Sequence, residues 1–415
     1  MHSGSSTERV DVHDGDGGTG CDEIIRWLLE DTWSERFIDN LLVSLCEKLT
    51  IAGVPVHRST LHFRVQHPQW LGARILWVPG SSGASINRFD HGIDTAPQYV
   101  MSPTRAVIEG VEEIHEKLDA GRSHRFEIFD ALAENGFTEY VSWPLKHTLG
   151  RRHMISFATK YHGGFGDRHL RFLKRLVPIV AVLSEVRIKN ILARTLLQTY
   201  VGTRAAEEIL AGSITRGSGD TIRAAILICD MRDFTALSNL WPRDDVIDIL
   251  NGYFDALCIP VEENGGEILK FMGDGLLAIF PLENAGACSN LLLAVEGAER
   301  RIRSLNVAQE GSGRPELRYG MGIHIGDVMY GNIGSESRLD FTVIGPAVNL
   351  AARLEDMTKS EGVPVLVSSD FVRRVSDRSH RKFRSLGMRK VRGVEDEIEV
   401  FDYTIGVRPA RDRRG

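Results

Sequence analysis

Two separated carboxylates, a lysine and an Asn/Arg pair in the second half of this 415-residue chain suit metal-dependent chemistry on a nucleotide. Asp230 ends the apolar run before Cys229-Asp230-Met231-Arg232-Asp233-Phe234-Thr235. Asp274 lies in the glycine-flanked turn of Lys270-Phe271-Met272-Gly273-Asp274-Gly275. If their strands are neighbours, two such hard carboxylates hold Mg²⁺ and leave positions open for phosphate oxygens. Paired ions of this kind activate an attacking oxygen and stabilise a departing one in an in-line displacement. Asn349 and Arg353 stand four apart and share one helix face, where asparagine can orient a ribose and arginine can stabilise charge on a transferring phosphoryl group. The backbone N–H groups of Phe234 and Thr235, at a strand-to-helix junction, can cradle phosphate. No Gly-x-x-x-x-Gly-Lys-Ser/Thr loop occurs, so the P-loop route to a nucleotide is absent. Singly, each residue reads as an ordinary turn, cap or surface position. The apolar neighbours Val348, Leu350, Ala351, Ala352 and Leu354 mark their helix as packed, which makes its polar pair less casual.

The elements that must position these residues follow from periodicity. Arg223 to Asp230 reads as a central strand. A helix from about Arg243 to Asn264 puts Val246, Ile249, Leu250, Tyr253, Phe254 and Leu257 on one face and stops at Gly265-Gly266. Strands at Glu267 to Met272 and Leu276 to Pro281 flank the Asp274 turn. A further helix carries Leu291, Val295, Ala298, Ile302 and Leu305, and Gly311 to Pro315 forms a loop. Leu317 to Ile325 and Val328 to Ile333 read as a hairpin. Pro346 opens the helix bearing Asn349 and Arg353. Strands at Val363 to Val367 and Ile398 to Thr404 complete an α+β fold, with helices on a mainly antiparallel sheet.

The first half has a different layout. Residues 1–22 are rich in Gly, Ser and Asp and read as a disordered lead. From Ser34 as N-cap, Phe37, Leu41, Leu42, Leu45 and Leu49 recur at helical spacing until Gly53. Strands His57 to Val65 and Leu71 to Val78 follow, then a helix from Arg125 to Glu134 capped at Asn135-Gly136. Phe137 to Pro144 and His153 to Lys160 read as a hairpin, followed by a long helix from Asp167. Its continuation places Leu183, Val186, Asn190, Ala193, Leu197 and Tyr200 on a coiled-coil seam, favoured over packing of that helix on its own domain. Val201 to Gly219 is a short helix and a Gly/Ser-rich joint.

Bulk properties narrow the class. A formal net charge of −6 gives no general attraction to nucleic acid, and the arginine-rich end, Arg408 to Arg414, reads as a solvated tail. No apolar run reaches bilayer-spanning length and the polar start lacks a signal peptide, so a cytoplasmic protein is expected. The five cysteines are scattered without Cys-x-x-Cys spacing and read as core residues, not as a zinc site or disulfide framework. His57, His62 and His67 read as satisfied strand or surface histidines in preference to haem ligands.

The motifs quoted above, with Asp340-Phe341-Thr342-Val343-Ile344-Gly345-Pro346-Ala347-Val348-Asn349-Leu350-Ala351-Ala352-Arg353-Leu354-Glu355, resemble the signature of class III nucleotidyl cyclases. The resemblance covers about Arg223 to Tyr403. It implies a metal site at Asp230, Met231 and Asp274 holding two ions, Mg²⁺ or Mn²⁺, and a ribose and transition-state pair at Asn349 and Arg353. It also implies a base-reading pair at Lys270 and Thr342, and a head-to-tail homodimer whose two protomers share each site. Lysine donating to N1 of adenine and threonine accepting from its exocyclic amine fit ATP, giving 3′,5′-cyclic AMP and pyrophosphate. The threonine resembles the adenylate cyclase subgroup that includes bicarbonate-responsive members. Asp233 stands where many members have glycine, and reads as a solvated cap.

The order of elements in the first half resembles a GAF-type sensor domain. The expected organisation is a lead at 1–22, a GAF-like domain at 23–183 and a helical coupling linker at 184–219. The catalytic domain follows at 220–407, with a tail at 408–415. A small-molecule ligand in the N-terminal domain and a purely dimerising role both remain open. Guanylate cyclase and a catalytically silent nucleotide- or ligand-binding regulatory dimer are the alternatives to adenylate cyclase.

Overall fold

The computed structural model describes residues 17–65, 70–90, 92–311, 313–375, 382–394 and 396–404. Residues 1–16 of the expected lead, the 408–415 tail and His67 lie outside them. The chain divides into two units, Met1–Leu196 and Leu197–Gly415. The division falls within the segment read as a coupling linker.

The N-terminal unit begins with helices α1 (Gly17–Glu30) and α2 (Ile38–Ile51). Helix α1 was not expected, since composition alone suggested disorder as far as residue 22. Ile24 and Leu28, four apart and both buried, give it a packed face. Phe37, not Ser34, is the N-cap of α2. Strands β1 (Arg58–Arg64), β2 (Gly72–Trp77) and β3 (Ser85–Phe89) follow, then the short helices α3 (Pro97–Val100) and α4 (Pro103–Ile108). Strand β4 (Ile114–Lys117) and helix α5 (Glu127–Glu134) precede the β5 (Glu139–Lys146) and β6 (Arg152–Thr159) hairpin, and α6 (Asp167–Val201) leaves the unit. The antiparallel sheet has the order β3-β2-β1-β6-β5-β4. Leu61 and Phe63 of β1 pack with Leu41, Leu45, Leu173 and Leu176 on one side. A smaller cluster around Phe129, Tyr140 and Met154 lies on the other. His57, just before β1, is a satisfied histidine, its Nδ1 accepting from the Lys160 N–H at 3.2 Å.

Helix α6 changes character along its length. Arg187 pins it to its own unit, donating to the carbonyls of Thr32 and Glu35 at 2.6 and 2.9 Å. Leu183, expected in the seam, leans on the N-terminal core. Val186, Asn190, Ala193 and Tyr200 are exposed.

The C-terminal unit opens with α7 (Thr203–Leu210), β7 (Gly219–Met231), α8 (Phe234–Leu240), α9 (Arg243–Glu263), β8 (Glu267–Met272) and β9 (Gly275–Pro281). It continues through α10 (Ala287–Gln309), β10 (Tyr319–Gly334), β11 (Leu339–Ile344), α11 (Pro346–Glu361), β12 (Val365–Ser368), α12 (Ser369–Val372), β13 (Phe383–Arg389) and β14 (Ile398–Tyr403). The sheet order is β13-β14-β12-β10-β7-β9-β8, with β11 paired to β10. Its β10–β12 pair is parallel and its other pairs are antiparallel. Strand β7 is buried on both faces, which explains its continuous apolar run. Ala225, Leu227 and Cys229 face Tyr253, Leu257 and Leu291, while Ala224, Ile226 and Ile228 face the Ala347 and Ala351 side of α11.

One expectation fails clearly. Residues 317–333 do not form a hairpin. Gly326 and Asp327 continue β10 and pair with Ala224 and Arg223 in an unbroken antiparallel register. Gly326 suggested a turn, but it serves close packing. A Cβ there would lie 2.6 Å from Ala347 Cβ, and one at Gly322 would lie 2.1 Å from Ala351 O. Glycine lets α11 lie directly on the strand. The hairpin of this region is instead the β10–β11 pair.

Candidate active site

Asp230 is the penultimate residue of β7, and Asp274 occupies the turn between β8 and β9. Because β9 pairs with β7 through Cys229 and Leu276, the turn arrives beside the end of β7. Gly273 supplies the turn's positive φ of 68°. Gly275 is held so close that a Cβ would stand 3.1 Å from Asp230 Oδ1. Burial, then the negative charge of Asp274, pushes the Asp230 carboxyl up to about 6. Met231, next in the chain, is a buried strand residue whose side chain belongs to the core.

Glu355 on α11 also bears on this pair, adding to the potential at Asp230. Its own carboxyl is raised by burial and partly offset by Arg232, whose guanidinium lies 3.1 Å away. That guanidinium, which also acts on Asp230, is thus committed to Glu355. Glu355 was quoted within the motif without a role. Its spacing four after Ala351, on the buried face of α11, was the available signal.

Phe234 and Thr235 open α8, where first-turn N–H groups have no preceding carbonyl to bond. Phe234 is half-buried against the core and Thr235 is exposed. Asp233 precedes them with φ 60° and ψ 24°, the left-handed region that glycine adopts without strain. It makes no side-chain cap bond, contrary to expectation, and instead pairs with Arg318 at 2.5 Å.

Lys270 and Thr342 form a second group. Lys270 Nζ pairs with Asp340 of β11, and Thr342 follows two residues later on the same face of that strand. Asp340 was also quoted without a role, although its period-two spacing from Thr342 was legible. Asn349 is exposed and Arg353 half-buried, the latter 3.4 Å from Asp356. Arg353 and Glu355 are two residues apart, about 200° around the helix. The arginine therefore points away from the side of α11 that addresses the carboxylates. Among the described residues, no hydrogen bond or ion pair links Asp230 or Asp274 to Lys270, Thr342, Asn349 or Arg353.

Residues 219–404 match the family described as the adenylate and guanylate cyclase catalytic domain. The match lies within the C-terminal unit. Over 192 residues the chain is 32% identical to an adenylate cyclase of Anabaena cylindrica, covering 46% of this chain and 38% of that protein. It is 33% identical over 183 residues to adenylate cyclase 1 of Rhizobium meliloti, covering 44% and 27%. The chain thus spans well under half the length of these relatives. A solved bacterial light-regulated adenylyl cyclase is 25% identical, with a TM-score of 0.47, covering 55% of this chain and 64% of that one.

Proposed function

We propose that the protein is an adenylate cyclase acting as a head-to-tail homodimer under the control of a GAF-like N-terminal domain. It converts ATP to 3′,5′-cyclic AMP and pyrophosphate. The observation that carries this reading is the division of the motif residues into two groups that face different ways. Asp230 and Asp274 crowd together, while Arg353 and Asn349 project from another side of α11 than Glu355. A second copy of the chain supplies the missing half of each site, and the exposed residues of α6 offer it a helical contact. Both relatives described above are named adenylate cyclases.

The carboxylates suit a divalent cation. Burial and the charge of Asp274 disfavour the ionised form of Asp230, and the Arg232 guanidinium that acts on it is paired with Glu355. Asp230, Asp274 and the backbone at Met231 would hold Mg²⁺ or Mn²⁺, two per site. When bound, such ions neutralise phosphate charge and favour ionisation of an attacking hydroxyl.

The chain's own groups do the rest. The N–H groups of Phe234 and Thr235 donate to phosphate oxygens. Asn349 orients the ribose so that O3′ lies in line with the α-phosphorus. The new O3′–P bond forms as the bond to the bridging oxygen breaks, the hydroxyl proton is lost, and pyrophosphate leaves. Arg353 stabilises charge that develops at the transferring group. Lys270, held by Asp340, donates to adenine N1, and the Thr342 oxygen accepts from the exocyclic amine. Guanine reverses both demands, leaving polar groups unpaired at ~1–3 kcal/mol each. A cytoplasmic location belongs to the same proposal, since its nucleoside triphosphate is made there.

The test is product analysis with purified protein, Mg²⁺ or Mn²⁺, and ATP or GTP. Cyclic AMP from ATP, lost in Asp230→Ala, is expected. Nucleotide binding without turnover under every combination would make the protein a silent regulator, and equal use of GTP would overturn the reading of Lys270 and Thr342.

A further inference from the structure

We propose that the N-terminal unit binds a small organic anion, a carboxylate or phosphate ester with an apolar body. Its site is a cavity beneath α3, α4 and α5, and Arg58 and Arg74 are the recognising residues.

The sequence of β1 creates the site by alternation. Leu61 and Phe63 point to the main core, so Arg58, Thr60 and His62 share the opposite face. In a half-buried sheet that face would meet water. Here helices α3 to α5 and their connections cover it, leaving a cavity of about 450 Å³. Pairing in register sets Arg74 of β2 beside His62. The volume lies within the range of small-ligand sites, roughly 300–1,000 Å³.

Among the described residues, no carboxylate is paired with the arginines inside. Arg74 Nε is buried without a hydrogen-bond partner. Burial disfavours the charge on Arg58, and the groups that act on it electrostatically are Tyr140 and Arg74, with no carboxylate among them. Burial and these two arginines hold His62 at about 3, so it is neutral, and its Nδ1 lies 3.4 Å from Thr104 Oγ1. The acids on the lining are elsewhere engaged or outward. Asp94 pairs with Arg64 at 2.6 Å, and Glu127 is exposed.

The same unit satisfies its other buried ions. Arg187 donates to three backbone carbonyls. The fully buried Glu139 carboxylate takes His115, Lys117 and the Phe165 N–H. Arg74, with its Nε unpaired, and Arg58, on which no carboxylate acts, border the cavity and differ in this from Arg187 and Glu139. An anion from outside supplies their partner. Ile93, Met101, Ile108, Ile128 and Met154 line the remainder and suit an apolar body.

The test is isothermal titration of the full chain with phenylacetate and phenyl phosphate, and with neutral phenylacetamide, at fixed ionic strength. Saturable binding of at least one anion, with none of the amide, is expected. Arg58→Gln and Arg74→Gln should each weaken it about ten- to hundredfold. Without ligand, Arg74→Met should melt no lower than the parent protein, because it removes an unpaired group. Failure of both anions to bind, equal binding of the amide, or undiminished binding in both glutamine variants would overturn the proposal. The readout is binding, so it stands apart from the outcome for cyclase activity.

Discussion

Mixing two inactive variants tests the shared site quantitatively. Asp274→Ala removes a carboxylate from the β8–β9 turn, and Arg353→Ala removes the guanidinium from the far side of α11. Each homodimer has two defective sites. Loss of the arginine should cost on the order of 10²–10³ in kcat, the scale for one preorganised donor to transition-state charge. Loss of the carboxylate should leave Asp230 alone to hold the metal, with little activity. In a heterodimer, one site collects both defects, whereas the other takes Asp274 from the Arg353→Ala chain and Arg353 from the Asp274→Ala chain. Random exchange of equal amounts gives about half heterodimers, each with one intact site of two, so about one quarter of parental activity returns. The assay is cyclic AMP formation after mixing under conditions that exchange subunits, verified with differently tagged chains. Exchange without recovery would refute the cross-protomer assignment and the argument from the two faces of α11.

Gly322→Ala should destabilise the C-terminal unit by about 1–3 kcal/mol, because its Cβ would stand 2.1 Å from Ala351 O; urea unfolding measures it. Asp233→Gly should be neutral to stabilising by about 1 kcal/mol, since release from the left-handed region outweighs an exposed pair with Arg318, and the same unfolding assay would show a loss if that pair mattered more. His153, buried against Phe63 and His147, has its protonation held down to about 3, chiefly by burial and then by His147. A depressed folded-state value means that stability is full above the unfolded value of about 6.5 and is lost as pH falls towards 3. The N-terminal unit should therefore weaken between pH 7 and 5, and less so in His153→Gln if that variant folds; an identical pH response in both would refute this cause.

Local chemistry was legible in the sequence wherever spacing decides geometry. Helix periodicity located α9, α10 and α11, Pro346 marked the first turn of α11, and the glycines around Asp274 marked its turn. The carboxylates, the lysine and the Asn/Arg pair were named from residue type, and Asp230 and Asp274 do come together. The apolar run of β7 also forecast a central strand.

Long-range decisions were not legible. Gly326 carries the same local signal whether it makes a turn or admits a helix, and only the approach of Ala347 distinguishes them. Glu355 and Asp340 acquire meaning from Arg232 and Lys270, which lie far away in sequence. Composition misjudged residues 17–22, because the apolar face that holds α1 starts beyond them. Most consequentially, Arg58, Thr60 and His62 look like the wet face of a strand until the chain 30 to 70 residues later closes over them. Periodicity fixes which side chains share a face, but what covers that face depends on packing between distant segments, which no local pattern encodes.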